Sequence, residues 1–179
     1  MNKLVVFLLL ILYLSSCKTP EAREPESVST GSFIKESAER NKKLFLLEQE
    51  QIETYIANQS DKRFLTSEHG FWFSKDTIQQ DTVLKTPAFG DLIKYEHYIA
   101  DLNGNIIYTE EELKTREYLM DKQELFTGLR EGLKLMKAGE TYTFIFPSQK
   151  AYGYYGDENK IRTNIPIVTQ VTVNSITTN

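Results

Sequence analysis

Two histidines, one cysteine, a run of glutamates and a tyrosine-rich loop are the groups in this 179-residue chain whose chemistry is worth testing first. His69 and His97 lie far apart in sequence and Cys17 sits near the N-terminus, so no His/Cys set has metal-ligand spacing. Neither a metal nor a cofactor is expected. Glu110-Glu111-Glu112 has no partner for paired acid–base work and reads as a solvated loop or helix start. Gly153 and Gly156 interrupt a tyrosine cluster instead of opening a helix after a strand, which excludes a phosphate-cradling loop. No serine sits in a nucleophile elbow. A net charge of −4 without a dense Lys/Arg stripe excludes nucleic acid as a partner. What remains is Ala151-Tyr152-Gly153 and the segment before it, Gly128-Leu129-Arg130-Glu131-Gly132-Leu133-Lys134-Leu135-Met136-Lys137-Ala138-Gly139-Glu140.

These residues need elements to hold them. Leu129, Leu133 and Met136 recur at i, i+4 and i+7 and share one face of a short helix. Tyr142, Phe144 and Phe146 alternate with Thr141, Thr143 and Ile145, giving a strand with one bulky aromatic side. A final strand, Ile165 to Ile176, sets Ile167, Thr169, Val171 and Val173 inward against the helix. Leu92 to Asp101 reads as a strand, and Asn103-Gly104 turns the chain into Ile106-Ile107-Tyr108. Ser67 to Gly70 reads as a turn ahead of a short aromatic strand, Phe71-Trp72-Phe73. The fold class is therefore α+β, an antiparallel sheet curled around a short helix.

The N-terminal part has another character. Lys3, the apolar run Leu4 to Leu14 and the small residues after it read as an export signal. Leu14-Ser15-Ser16-Cys17 resembles the lipobox of bacterial lipoproteins, which implies cleavage before Cys17 and acylation of that residue. Several acyl chains suffice for stable anchoring. A permanent transmembrane anchor is the alternative, with the same compartment as its consequence. Residues 1–16 are thus expected as signal peptide and 17–32 as a tether rich in Pro, Glu, Ser and Thr. Residues 33–82 hold a helical lead and a short strand, and 83–179 the main domain. Phe33 to Asn58 lacks Gly and Pro, with Ser32 available as N-cap, and reads as helix. Its apolar positions Leu44 to Leu47, Ile52 and Ile56 form a broad patch, suited either to packing on its own domain or to a dimer or partner contact through 33–58.

Helix, tight turn at Gly139, aromatic strand, Pro147 and tyrosine loop, in that order, resemble the FK506-binding (FKBP) family of peptidyl-prolyl isomerases over roughly Gly90 to Ile176, with Thr86-Pro87-Ala88-Phe89-Gly90-Asp91 as the lead-in. Carried over residue by residue, the resemblance implies Leu125 and Phe126 as the apolar pair lining a proline pocket. Leu129 stands for the tryptophan of its floor, and Tyr152 is the loop tyrosine whose hydroxyl donates to a substrate carbonyl. These four are the implied catalytic residues. Ile161 matches an apolar flap residue, and His97, or Tyr98 with a one-residue shift, falls at a pocket aromatic. The family's Phe-Asp pair reads Ile107-Tyr108 here, so its usual carboxylate is missing. Thr169 replaces an inward aromatic, and Tyr118 in Arg116-Glu117-Tyr118 supplies ring surface in place of a phenylalanine-rich strand. Arg162-Thr163-Asn164 stands where flap prolines are usual.

The implied activity is isomerisation of X-Pro bonds in exported polypeptides, slow and selective given the altered pocket. Lipobox, tether, helical lead and divergent domain together resemble the gliding-motility-associated isomerase lipoproteins of Bacteroidetes. That resemblance implies an envelope protein, lipid-anchored in the outer membrane facing the periplasm, with a role in gliding motility or secretion. A noncatalytic FKBP-like binding module and a chaperone acting through the helical arm are the alternatives.

Overall fold

The computed structural model describes residues 30–80 and 83–178, with side chains from Phe33 onward. Cys17, the signal segment and most of the tether lie outside the described residues. The chain divides into two units at Ala38/Glu39, and the packing below belongs to the second, Glu39–Asn179.

Helix α1 runs Thr30–Ala57, so it starts inside the expected tether and Ser32 lies within the helix instead of capping it. Then follow β1 (Leu65–Thr66), β2 (Trp72–Thr77), β3 (Leu92–His97), β4 (Ile99–Ala100), β5 (Ile106–Tyr108), α2 (Glu110–Leu113), β6 (Arg116–Leu119), α3 (Thr127–Leu133), β7 (Thr141–Phe146) and β8 (Ile167–Thr177). The strands form one antiparallel sheet in the order β1-β2-β7-β8-β3-β6, with β4 pairing β5 and β8. An α+β, FKBP-like arrangement of antiparallel sheet and few helices is what the pattern called for. The expected continuous strand over 92–101 is broken at Tyr98, whose carbonyl accepts the Thr169 hydroxyl. The hydroxyl satisfies a backbone group that the break would otherwise leave unpaired.

The inner face of the sheet carries the main core. Leu129, Leu133 and Met136 have no accessible surface and pack with Tyr142, Phe144, Phe146, Val171 and Val173. Burying each such aliphatic side chain contributes about 1.5–3 kcal/mol. Helix α3 stops at Leu133, and Met136 reaches the same core from the turn that follows. The Gly-x-x-x-Gly spacing has a steric cause. A Cβ on Gly128 would stand 2.5 Å from Phe146 Cδ1 and 2.7 Å from the Lys150 carbonyl oxygen, and one on Gly132 2.9 Å from Phe144 Cε1. The two glycines let α3 lie directly on the aromatic row of β7.

The outer face is covered as well. Ile52 of α1 packs with Ile145 and Val168, flanked by Tyr55, Ile56, Phe64, Trp72 and Leu102. This is the same-domain packing that one reading of the helix allowed, but it involves only the C-terminal part of α1. Phe45, Leu46 and Leu47 stay 43%, 54% and 49% exposed. Among the described residues no helix is long and apolar enough to cross a membrane.

Candidate functional site

The tyrosine loop leaves β7 through Pro147, makes a 3-10 turn at Ser148–Lys150, and returns to β8 past Ile161. Its first half is folded on two carbonyls: Pro147 O accepts the N–H of Lys150 at 2.9 Å and of Ala151 at 3.2 Å, and Ser148 O that of Ala151 at 3.0 Å and of Gly153 at 2.8 Å. Its second half is organised by Asp157, whose Oδ1 accepts the N–H of Asn159 at 3.0 Å and of Ile161 at 2.7 Å. Gly156 makes this tightness achievable, because it has φ +69° and a Cβ there would fall 2.1 Å from the Ile161 carbonyl oxygen. Asn164 N–H donates to Gly153 O at 2.9 Å and draws the two halves together.

Tyr152 is thereby brought against Phe126, the N-cap residue just before α3, with ring centroids 5.1 Å apart and planes at 46°. Phe126 in turn meets Phe146 edge-on at 5.4 Å. Tyr152 and Phe126 are both half-buried, so each offers ring surface while backed by the core. Burial pushes the Tyr152 hydroxyl up to about 12, helped by the Asp157 charge and Tyr108. At neutral pH it is a protonated donor on a largely apolar wall.

The structure gathers most of the sequence-derived residues on this face. Leu125, Phe126, Tyr152, Ile107 and Tyr108 are partly buried against the same core that contains Leu129, Tyr118 and Ile161. Their roles separate by exposure. Leu129 and Thr169 have no accessible surface, so in this conformation neither can touch a ligand. Leu129, the expected floor, lies within the core against which Phe126 packs, and Thr169, the expected replacement for an inward aromatic, spends its hydroxyl on the Tyr98 carbonyl. Tyr118 is 3% exposed and its hydroxyl accepts the Asp121 N–H at 3.3 Å, and Ile161 is also 3% exposed. Both brace the site from behind.

Of the alternatives His97 and Tyr98, alternation along the strand selects His97 for the inner face. Its ring lies 5.3 Å from Tyr95 and the residue pairs with Val171. Tyr98 turns to the other face, within the field of Tyr55 and Asp76, and so does not line the site. Burial, with a smaller contribution from Arg116, pushes the His97 imidazole down to about 4, so it is neutral at pH 7. Its Nδ1 is the one buried side-chain nitrogen or oxygen among the described residues with no hydrogen-bond partner.

Two residues of the site, Asp157 and Glu48, have no counterpart among those read from the sequence. Tyr108 stands where a carboxylate was missed, yet its hydroxyl donates to Asp157 Oδ2, so a carboxylate reaches the position from the opposite loop. Asn159 Nδ2 donates to the Tyr108 hydroxyl at 3.0 Å, and Lys160 Nζ sits 4.8 Å over its ring while pairing with Glu112. Glu112 itself closes a capping box with Thr109 on α2, so the glutamate run is a helix start. Burial opposes ionisation of Asp157, but its hydrogen bonds from Tyr108, Asn159 and Ile161 outweigh that and hold the carboxyl below its usual range. The second residue is Glu48 of α1, 3% exposed, whose carboxylate accepts from both the N–H and the hydroxyl of Ser148. Contacts between residues so distant in sequence left no local signal. No group of three or more His, Cys, Asp or Glu among the described residues is placed to hold a metal ion.

Comparison with known proteins agrees with this architecture. The chain resembles a peptidyl-prolyl cis-trans isomerase from Pseudomonas syringae pv. tomato, with 16% identity, 76% of this chain and 96% of that one covered, and a TM-score of 0.59. It resembles FkpA from Escherichia coli with 17% identity, 99% and 83% coverage and a TM-score of 0.60. The N-terminal domain of FKBP42 from Arabidopsis thaliana matches at 16% identity, 66% and 94% coverage and a TM-score of 0.58. No curated protein matches the chain. A family model for FKBP-type peptidyl-prolyl cis-trans isomerases matches residues 85–174, half of the chain, and takes in β3 to β7 and most of β8 with α3 and the tyrosine loop; the chain belongs to that family.

Proposed function

We propose that this chain is a working peptidyl-prolyl isomerase, tethered by lipid on Cys17 to the outer membrane facing the periplasm, that assists folding of proline-containing exported polypeptides. The observation that carries the reading is the Phe126–Tyr152 pair, two half-buried rings with centroids 5.1 Å apart, one of them bearing a protonated hydroxyl. Rotation about an X-Pro bond passes through a twisted amide whose barrier of ~18–20 kcal/mol comes from lost resonance. No nucleophile is needed. A dry apolar wall for the proline ring and one donor aimed at a carbonyl favour the twisted form over either planar form. Uncatalysed exchange takes ~10–100 s, so moderate acceleration matters to a chain folding outside the cytoplasm. The closed floor at Leu129 supports a slow and selective enzyme. A role in gliding motility or secretion follows from the likeness of the lipobox, tether and helical lead to the Bacteroidetes isomerase lipoproteins.

The exposure of Phe45, Leu46 and Leu47 on α1 supports a second role for this segment, as contact surface for a second copy or a partner chain within 33–58. A protease-coupled proline-peptide assay tests the enzymatic reading, and light scattering of the wild type beside Leu46→Ser/Leu47→Ser tests the contact. A mass for the mature protein without lipid on Cys17 would remove the anchor.

A further inference from the structure

Among its described side chains, helix α1 buries two, Glu48 and Ile52, while Leu46 and Leu47 beside them face solvent. That inverts the ordinary preference, in which an amphipathic helix turns aliphatic residues inward and carboxylates outward. A buried carboxylate is costly unless its oxygens are hydrogen-bonded. Both of Glu48's are. Oε2 accepts the Ser148 N–H at 2.8 Å and Oε1 the Ser148 hydroxyl at 2.6 Å. Ser148 has no accessible surface, and its carbonyl accepts the N–H groups of both neighbours of Tyr152, that of Gly153 and that of Ala151, the latter shared with the Pro147 carbonyl.

We propose that Glu48 is a positioning residue for Tyr152, which makes the N-terminal helix a structural part of the isomerase site and not only an arm beside it. The carboxylate fixes Ser148 from outside the loop, and Ser148 fixes the backbone on either side of Tyr152. Ile52, one turn further along α1, seats the helix on Ile145 and Val168 and sets the height from which Glu48 reaches across. The Tyr152 ring can then keep its place against Phe126 without a hydrogen bond to its own hydroxyl, leaving that donor for substrate. The proposal rests on the isomerase reading of the Tyr152 face.

The experiment uses the full mature chain with Glu48→Ala, Glu48→Gln, Ser148→Ala and the Glu48→Ala/Ser148→Ala double variant. Proline-peptide turnover and amide hydrogen exchange are followed well below the melting temperature of each. Glu48→Ala is expected to lower kcat on the order of 10-fold with KM little changed, as loss of alignment does. Glu48→Gln, which keeps an acceptor, is expected to recover most of that. The double variant should be no worse than Glu48→Ala alone, because both act through one contact. Exchange should accelerate at Ala151 and Gly153 and not across β7 and β8. A folded Glu48→Ala with wild-type kcat overturns the proposal, as does acceleration spread evenly over the sheet. Should Glu48→Ala not fold, Glu48→Gln and Ser148→Ala decide by the same readouts. A wild type without turnover overturns the isomerase reading instead, and unchanged Gly153 exchange in the variants then overturns the positioning role separately.

Discussion

Replacing Gly128 by alanine should destabilise the domain, although alanine is the better helix former. Helix propensity alone favours Gly128→Ala by about 1 kcal/mol. Against that, the new Cβ would meet Phe146 Cδ1 at 2.5 Å and the Lys150 carbonyl oxygen at 2.7 Å, where ordinary contact begins near 3.4 Å. The ring could turn, but the carbonyl belongs to the backbone of the 3-10 turn, so α3 must lift by about 1 Å or that turn must move. Overpacking of this kind costs about 1–3 kcal/mol, and a fixed backbone neighbour places Gly128 at or above the upper end. The net expectation is a loss of about 2 kcal/mol, or roughly 4–8 °C in melting temperature for a domain of this size. Urea unfolding checks it through a lowered midpoint with unchanged slope. Gly132→Ala, opposed only by the Phe144 ring at 2.9 Å, should be milder. Because Phe126 is the N-cap residue of the same helix, turnover should fall in Gly128→Ala more than in Gly132→Ala. A Gly128→Ala protein as stable as wild type, or more so, would refute the close-approach account of the motif.

Leu129→Trp, which restores the residue usual in the family, should destabilise by about 1–3 kcal/mol and not raise turnover, since Leu129 has no accessible surface and the larger ring must displace its core neighbours; thermal melts and the peptide assay read both. His97 should remain neutral well below its ordinary pKa, because its folded value is about 4 against 6.5. The unfolded chain then binds the extra proton, so stability rises with pH through this window and is lost as pH falls from 6.5 toward 4; His97→Gln should flatten that slope in urea titrations. Asp157 is depressed in the fold, so its contribution is present above the ordinary carboxylate pKa and lost on further acidification. Tyr108→Phe should shrink that acid-side loss and loosen the loop over 157–161, measured by melts across low pH and by amide exchange at Ile161.

The helix face Leu129, Leu133, Met136 and the inward row of β8 at Thr169, Val171 and Val173 were legible because period and burial coincide in them, whereas the aromatic row of β7 was legible by period alone, since Thr143 and Ile145 between the rings are buried as well. The Asn103-Gly104 turn was legible for a similar local reason, turn chemistry, and the tyrosine loop through its place in the family motif. The break at Tyr98 was not, because the strand pattern runs through it and its repair comes from a hydroxyl on β8. Leu129 matches a pocket floor by its position in a family motif, and only the fold shows that it has no accessible surface. Glu48 and Asp157 were invisible for a common reason. Each acts on a partner remote in sequence, Ser148 and Tyr108, and a glutamate on a helix or an aspartate in a loop is by type an ordinary solvated residue. The carboxylate missing at Tyr108 was judged from one strand, whereas the structure supplies it across the site.

The central claim is that the Tyr152 hydroxyl and the Phe126 ring together favour a twisted prolyl amide. It is tested most directly by the protease-coupled proline-peptide assay on the mature chain, comparing wild type with Tyr152→Phe and Phe126→Ala. Wild type should exceed the uncatalysed rate. Tyr152→Phe should lose on the order of 10-fold or more in kcat/KM with an unchanged melting temperature, as removal of one aimed donor does. Phe126→Ala should lose at least as much, with KM raised. A wild type no faster than the uncatalysed reaction, or a folded Tyr152→Phe as fast as wild type, would contradict the account.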